Sequence, residues 1–419
     1  MIMIGKRATR LTLALIIFLF CDFTVFAQNN WPAFHNSDQT NKSKETGLIS
    51  KWPADGPELA YTISGIGEGY SSIIIADGLL YTAGTKDQQS YVYAFDTDGK
   101  QIWKQTNGKA WETTMSWAVS YTGTRSTPAY DNGIVYHLGE MGRLAAFEAK
   151  TGKEIWSLDI REQFDAPVPE YGYSESVLVD GDRLYCSPAG KKGFIICLEK
   201  KTGKVLWVNT SISGEAAYNS SVILESAGYR QIVSLSSDCI FAVDSRNGKQ
   251  LWNMEFKNSH SLNCTDPVVY DHYVLASSGY GKGSIMINLN PEGNVFKPSL
   301  LWKTTYMDNP HGGVILHKDN LYGTGSDSRG FFCLDFMSGK QMWKAEGKGS
   351  VTYADGMLYL LEERGIMRLV KAIPEKYEPA GEFKVPSGGK GPYWAHPVVC
   401  GGRLYIRHTD KVFVYKIKT

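Results

Sequence analysis

A tryptophan that returns about every 46 residues behind a Gly-Lys turn, a β-branched run ending in tyrosine ahead of each such turn, and no long helical periodicity predict an all-β chain. The architecture they predict is an eight-bladed β-propeller of four-stranded blades, in which ring closure removes the exposed ends of an open sheet.

In chain order, residues 1–27 read as a secretory signal peptide. Lys6, Arg7 and Arg10 precede an apolar run from Leu11 to Phe20, and Val25-Phe26-Ala27 offers a small residue for cleavage. Asp22 interrupts the run short of the ~20 residues a membrane span needs. Cys21 follows the bulky Phe20 where a lipid-attachment site needs a small residue, so a lipoprotein anchor is not expected. The mature chain is expected to start near Gln28, periplasmic or secreted. Residues 28–60 are expected to add an outer strand to the last blade and close the ring, and residues 61–419 to form the propeller.

Five copies of the turn are clear: Ala94 to Trp103, Ala146 to Trp156, Cys197 to Trp207, Ala242 to Trp252, and Cys333 to Trp343. Weaker copies end at Trp302 and Phe383, and Tyr61 is the opening equivalent. Each has apolar alternation, a polar turn ending in Gly, then Lys and further alternation, which is a hairpin. The preceding strand pairs run Ser72–Tyr81, Thr127–Tyr136, Ser176–Tyr185, Gly313–Tyr322, Ser350–Tyr359 and His396–Tyr405.

At these residues the chain resembles the quinoprotein-like propellers built from PQQ (pyrroloquinoline quinone) repeats, whose tryptophan-docking motif reads Ala-x-Asp-x-x-x-Gly-Lys-x-x-Trp. The resemblance covers residues 61–419 and extends to the Trp31-Pro32-Ala33-Phe34 opening of short exported bacterial forms. It implies that Trp103, Trp156, Trp207, Trp252, Trp302 and Trp343 are structural, each docking between blades. It also implies two kinds of activity: dehydrogenases that hold PQQ with Ca²⁺, and a lipoprotein that helps assemble outer-membrane barrels. Quinoprotein alcohol dehydrogenases carry adjacent cysteines over the quinone, and no two of the seven cysteines here are neighbours. The chain is also shorter than those enzymes, so no cofactor is expected, with PQQ and Ca²⁺ as the alternative.

Composition narrows the partners. With 44 Lys+Arg against 43 Asp+Glu and no long basic run, the chain lacks the clustered cations that nucleic acid or an anionic membrane surface requires. No CxxC or Cys/His spacing suggests a metal. The cysteines of the mature chain fall in apolar β-rich stretches and read as buried thiols.

A site is expected where the residues ahead of the inner strands gather around the central channel. Nine positions before each strand-ending tyrosine, or its equivalent, lie Ser72, Thr127, Ser176, Asp266, Gly313, Ser350 and His396, with Ser221 the best match in the fourth unit. Two positions further back lie Tyr70, Arg125, Ser174, Asn219, Cys264, His311, Lys348 and Trp394. The departures from a Ser/Thr consensus, together with neighbours, give the candidate rim: Tyr70, Arg125, Tyr173, Glu175, Asn219, Asp266, His311, Trp394 and His396. An aromatic insertion, Trp111 to Tyr121, is placed to cap the funnel, and its rings suit a sugar or planar ligand. The function read from sequence is a monomeric ligand-binding or interaction propeller of the envelope, holding a small molecule, glycan or envelope protein. An enzyme with its site in the funnel, PQQ-dependent or sugar-active, is the alternative.

Overall fold

The computed structural model describes residues 30–116, 118–293 and 295–418; the signal-peptide segment and Cys21 lie outside them. Eight sheets, each with four antiparallel strands, form the blades; in blades 1 to 7 these strands run in sequence order from axis to periphery, and in blade 8 the outer strand comes from the N-terminal segment. Blade 1 comprises Ile74–Ala76, Leu79–Lys86, Gln89–Asp96 and Gln101–Lys109. The innermost strands of blades 2 to 8 are Ala129–Asp131, Leu178–Asp180, Val222–Ser226, Val268–Tyr270, Val314–His317, Gly349–Ala354 and Val398–Cys400. Among the described residues no helix is long and apolar enough to cross a membrane.

Blades are joined by the predicted docking. The indole N–H of Trp103 donates to Ala149 O, Trp156 to Lys200 O, Trp207 to Ser245 O, Trp302 to Phe336 O and Trp343 to Ile373 O, each carbonyl on the next blade. Four of these rings lie against a turn glycine: Gly152, Gly203, Gly248 and Gly339. Those glycines have φ between 66° and 74°, and a Cβ would sit 2.4–2.7 Å from the ring. Turn and docking site therefore need glycine for the same two reasons, left-handed backbone and absent side chain.

Two positions depart from the expected docking. Trp252 donates to Gln231 Oε1 of its own blade, because the matching turn of blade 5 is replaced by a two-stranded hairpin, Pro291–Glu292 with Val295–Phe296. In blade 7 the position equivalent to tryptophan is Gly381, not Phe383, and Trp52 of the N-terminal segment packs over it. In every blade the outer strand skips one residue immediately before the docking position, so Ile102, Ile155, Leu206, Leu301 and Met342 bulge outward and are exposed.

The ring closes through Leu59–Ser64, antiparallel to the last strand of the chain in blade 8. This strand straddles the expected boundary at residues 60/61. Its Tyr61 ring packs on Gly99 of blade 1, completing the circle. Residues 31–43 do something the sequence did not suggest: they lie across the axis. Trp31 pairs with Ile75 of blade 1, Tyr130 N of blade 2 donates to Pro32 O, and Ile223 N of blade 4 donates to Gln39 Oε1. Lys42–Ser43 runs parallel to Tyr353–Ala354 of blade 7, and Lys42 Nζ donates to Leu316 O of blade 6. The channel is thus plugged by the chain's own start.

Two stability tests follow. Gly248→Ala, which drives a methyl into Trp207, is expected to cost about 2–4 kcal/mol in urea unfolding. Trp31→Ala, which empties a site only 2% exposed, is expected to cost about 3–5 kcal/mol by the same measurement.

Candidate ligand-binding funnel

Strand alternation decides which predicted rim residues reach the axis. The backbone N–H of Ser72 donates to Thr127 Oγ1, Thr127 N to Ser176 Oγ, Ser176 N to Ser220 Oγ and Ser220 N to Asp266 Oδ1. Inner strands of blades 1 to 5 are thereby linked by one hydroxyl or carboxylate each, which explains the Ser/Thr consensus as a structural belt. The belt also fixes the fourth unit one residue earlier than expected, at Tyr218 and Ser220.

Above the plug lies a cavity of about 720 Å³, within the range of small-molecule sites. Phe34, His35, Asp266 and His396 form its floor, and Tyr70, Tyr121, Arg125, Tyr218, His311 and Trp394 contribute to its wall. Three predicted members are not there. Tyr173 is buried in the core between blades 2 and 3, with its hydroxyl donating to Pro188 O. Glu175 points away and accepts from Ser187 N at 2.7 Å. Asn219 donates to Ser234 Oγ inside blade 4. Period-two alternation puts Ser174 and Ser176 on the cavity side and Tyr173 and Glu175 behind it, while the one-residue slip sends Asn219 inward.

The floor is a proton-linked chain. His35 Nδ1 meets Asp266 Oδ2 at 3.0 Å, His35 Nε2 meets His396 Nδ1 at 2.9 Å, and His396 Nε2 lies 2.7 Å from His311 O. A carbonyl only accepts, so His396 Nε2–H donates, its Nδ1 accepts from His35 Nε2–H, and His35 Nδ1–H faces the carboxylate. The chain of Asp266 and the two rings carries no net charge whichever of Asp266 and His35 holds the proton between them. Burial, and then the His35 ring beside it, push His396 well below the ordinary histidine range, which keeps that proton at the Asp266 end.

A second cluster stands on the wall. Glu363 accepts from His311 Nε2 at 3.1 Å, Lys348 Nζ at 3.1 Å and Trp394 Nε1 at 3.0 Å. Burial opposes its ionisation, but the His311 and Lys348 contacts hold the carboxyl at about 2. Arg125 has no such partner: among the described residues no carboxylate lies within ion-pair distance. Its guanidinium donates to Tyr171 O at 3.0 Å and Tyr121 O at 2.5 Å, and lies 5.6–5.9 Å from the ring centroids of Tyr70, Trp111 and Tyr171. The 111–121 insertion supplies Trp111 and Tyr121 to this corner; Trp117 is outside the described residues.

Sequence reasoning missed Phe34, His35, Tyr121, Tyr171, Tyr218, His260 and Tyr280 as lining residues. The one-residue slip hid Tyr218, and the floor residues come from a segment assigned to the periphery. Tyr121 sat in the noted aromatic insertion, the only signal available for it. Five of the six described cysteines are buried, while Cys264 is half-buried in the funnel wall.

Fold, docking motif and funnel together define an eight-bladed propeller of the PQQ-repeat class. The family model described as outer membrane protein assembly factor BamB matches residues 88–345, more than half of the chain, and the chain belongs to that family. BamB of Shewanella oneidensis is 26% identical over 247 residues, 57% of this chain and 55% of that protein. The quinoprotein alcohol dehydrogenase PedH of Pseudomonas putida is 25% identical over 223 residues, 50% of this chain and 35% of its own. The chain spans about half the length, or less, of these curated relatives. Among solved structures, BamB from Moraxella catarrhalis superposes with a TM-score of 0.61 at 15% identity, covering 86% of this chain and 97% of that one. Quinohemoprotein alcohol dehydrogenase from Comamonas testosteroni gives 0.62 at 14% identity, with 93% and 80% covered. Both share the fold.

Glu175 supplies a test of its structural placement. Burial raises its carboxyl to about 8, so it folds neutral, and the stability this protects is present below about pH 4.5 and lost as pH rises through 8. Glu175→Gln, a neutral isostere, is expected to flatten that loss and to exceed the parent by roughly 3 kcal/mol at pH 8.5 in urea unfolding, with little difference at pH 5.

Proposed function

We propose that this protein is an exported, envelope-located binding propeller that holds a small organic ligand in its funnel and performs no chemistry on it. The observation that carries the reading is a division of labour among the funnel residues. The groups able to move protons are engaged with one another: Asp266 with His35, His35 with His396, and Glu363 with His311 and Lys348. The rest of the lining is dominated by aromatic rings and carries Arg125, while His260, the remaining histidine of the lining, meets Ser259 Oγ through Nδ1 and stacks on Tyr280. Binding determinants outnumber groups placed to act as a general base.

The donor set does not suit PQQ with Ca²⁺. Among the described residues no three His, Cys, Asp or Glu side chains are placed to share a cation, and Asp266, the floor carboxylate, is already bonded at both oxygens. The cysteine pair that the dehydrogenases place over the quinone has no counterpart in the sequence. Export is supported by the basic and apolar leader at residues 1–27.

The test is a dye-linked oxidation assay with alcohols and aldoses after incubation with PQQ and CaCl₂, run beside a thermal-shift screen of small organic acids and sugars. No turnover is expected, together with at least one stabilising ligand whose effect disappears in Trp394→Ala. PQQ-dependent turnover would overturn the binding reading.

A further inference from the structure

Charge, ring geometry and hydroxyl supply narrow what the funnel takes. The Asp266–His35–His396 chain carries no net charge, and Lys348 offsets Glu363. Glu140, behind the wall, accepts from Thr85, Thr124 and Trp111 N and is 1% exposed, and Glu170 is exposed to solvent at the rim. One cation has no carboxylate within ion-pair distance, with Glu140 acting on it only through the wall: Arg125, partly desolvated and fixed in place by three carbonyls and three rings. A guanidinium carries five N–H donors, so the bonds to Gly123 O, Tyr171 O and Tyr121 O leave two donors, enough for one carboxylate.

The rings do not form a slot. Tyr121 and Trp394 stack directly on each other, with centroids 5.2 Å apart and planes 16° apart, leaving no gap for a flat molecule between them. Tyr70 is tilted 43° to Trp394, and Tyr171 stands at 70° to Tyr218. A planar aromatic acid wants two parallel faces; angled faces suit a puckered ring that presents C–H groups on one side and hydroxyls around its edge. Hydroxyl partners are present. The phenols of Tyr121 and Tyr280 make no hydrogen bond to the protein among the described residues, and Ser174 Oγ is buried without a partner.

We infer that the funnel binds a sugar bearing a single carboxylate, a hexuronate, with the carboxylate on Arg125, the ring against the Tyr121–Trp394 pair and its hydroxyls toward Tyr280 and Ser174. The inference rests on the binding reading above and gives it a ligand class.

Calorimetric titration of the full mature chain with glucuronate, galacturonate, their neutral parents glucose and galactose, and benzoate tests it. At least one uronate is expected to bind at least tenfold more tightly than its parent sugar, a comparison that requires no variant. Arg125→Gln is expected to remove that difference, with a melting curve reporting whether it folds; Tyr280→Phe, which keeps the ring and removes the hydroxyl, is expected to weaken the uronate several-fold. Trimeric galacturonate in place of the monomer tells a chain end from a free acid. A parent sugar binding as tightly as its uronate, or benzoate binding more tightly, overturns the hexuronate and leaves a small-ligand funnel standing. No heat from any of the five probes also overturns it, and the binding reading then falls only if the wider screen and Trp394→Ala fail as well.

Discussion

Everything in this molecule depends on one repeated contact, an aromatic ring of most outer strands laid against the turn of the following blade. The contact is directional: an indole donates to a carbonyl while its face covers a glycine that has no side chain to hold it off. Repeated around the circle it fixes the rotation between successive blades, and with it the number of blades that closes the ring. The ring tolerates local substitutes. Gln231 satisfies Trp252 where blade 5 lacks its turn, and Trp52 replaces the ring missing at Gly381.

The plug turns a channel into a one-ended vessel. Contacts from residues 31–43 reach the inner strands of blades 1, 2, 4, 6 and 7, and His35 adds blades 5 and 8 through Asp266 and His396. Phe34 and His35 of this segment make the floor of the cavity together with Asp266 and His396, while its walls come from connections spread over the following 350 or so residues. The hydroxyl belt beneath the wall holds those connections at common height, so the chemical character of the funnel can vary without changing the ring.

Much of the fold was legible because the docking motif is local: acid, turn, glycine and tryptophan lie within about a dozen residues, and their spacing reports the hairpin directly. The funnel was legible only in part. Arg125, His311, Trp394 and His396 could be reached by counting back from a strand, but counting has no error correction where a unit varies, and a slip of one residue exchanges a channel-facing Tyr218 for an inward Asn219. Glu175 illustrates the same limit, since an acid adjacent to the axis in sequence is opposite to it in a pleated strand. His35 was beyond reach, because its partner His396 lies 361 residues away and no repeat marks the contact.

The skipped residue in each outer strand has a consequence at the rim of the ring. Closure joins the blades around the axis but leaves eight outer strands with no further strand beside them. A straight strand of that kind is a template on which another chain can pair and from which fibrous association can grow. The bulge at Ile102, Ile155, Leu206 and their counterparts breaks the regular spacing of donors and acceptors near the start of the strand and adds twist. The kink that aims each tryptophan at its neighbour therefore also spoils the strand as a surface for unwanted chain-to-chain pairing.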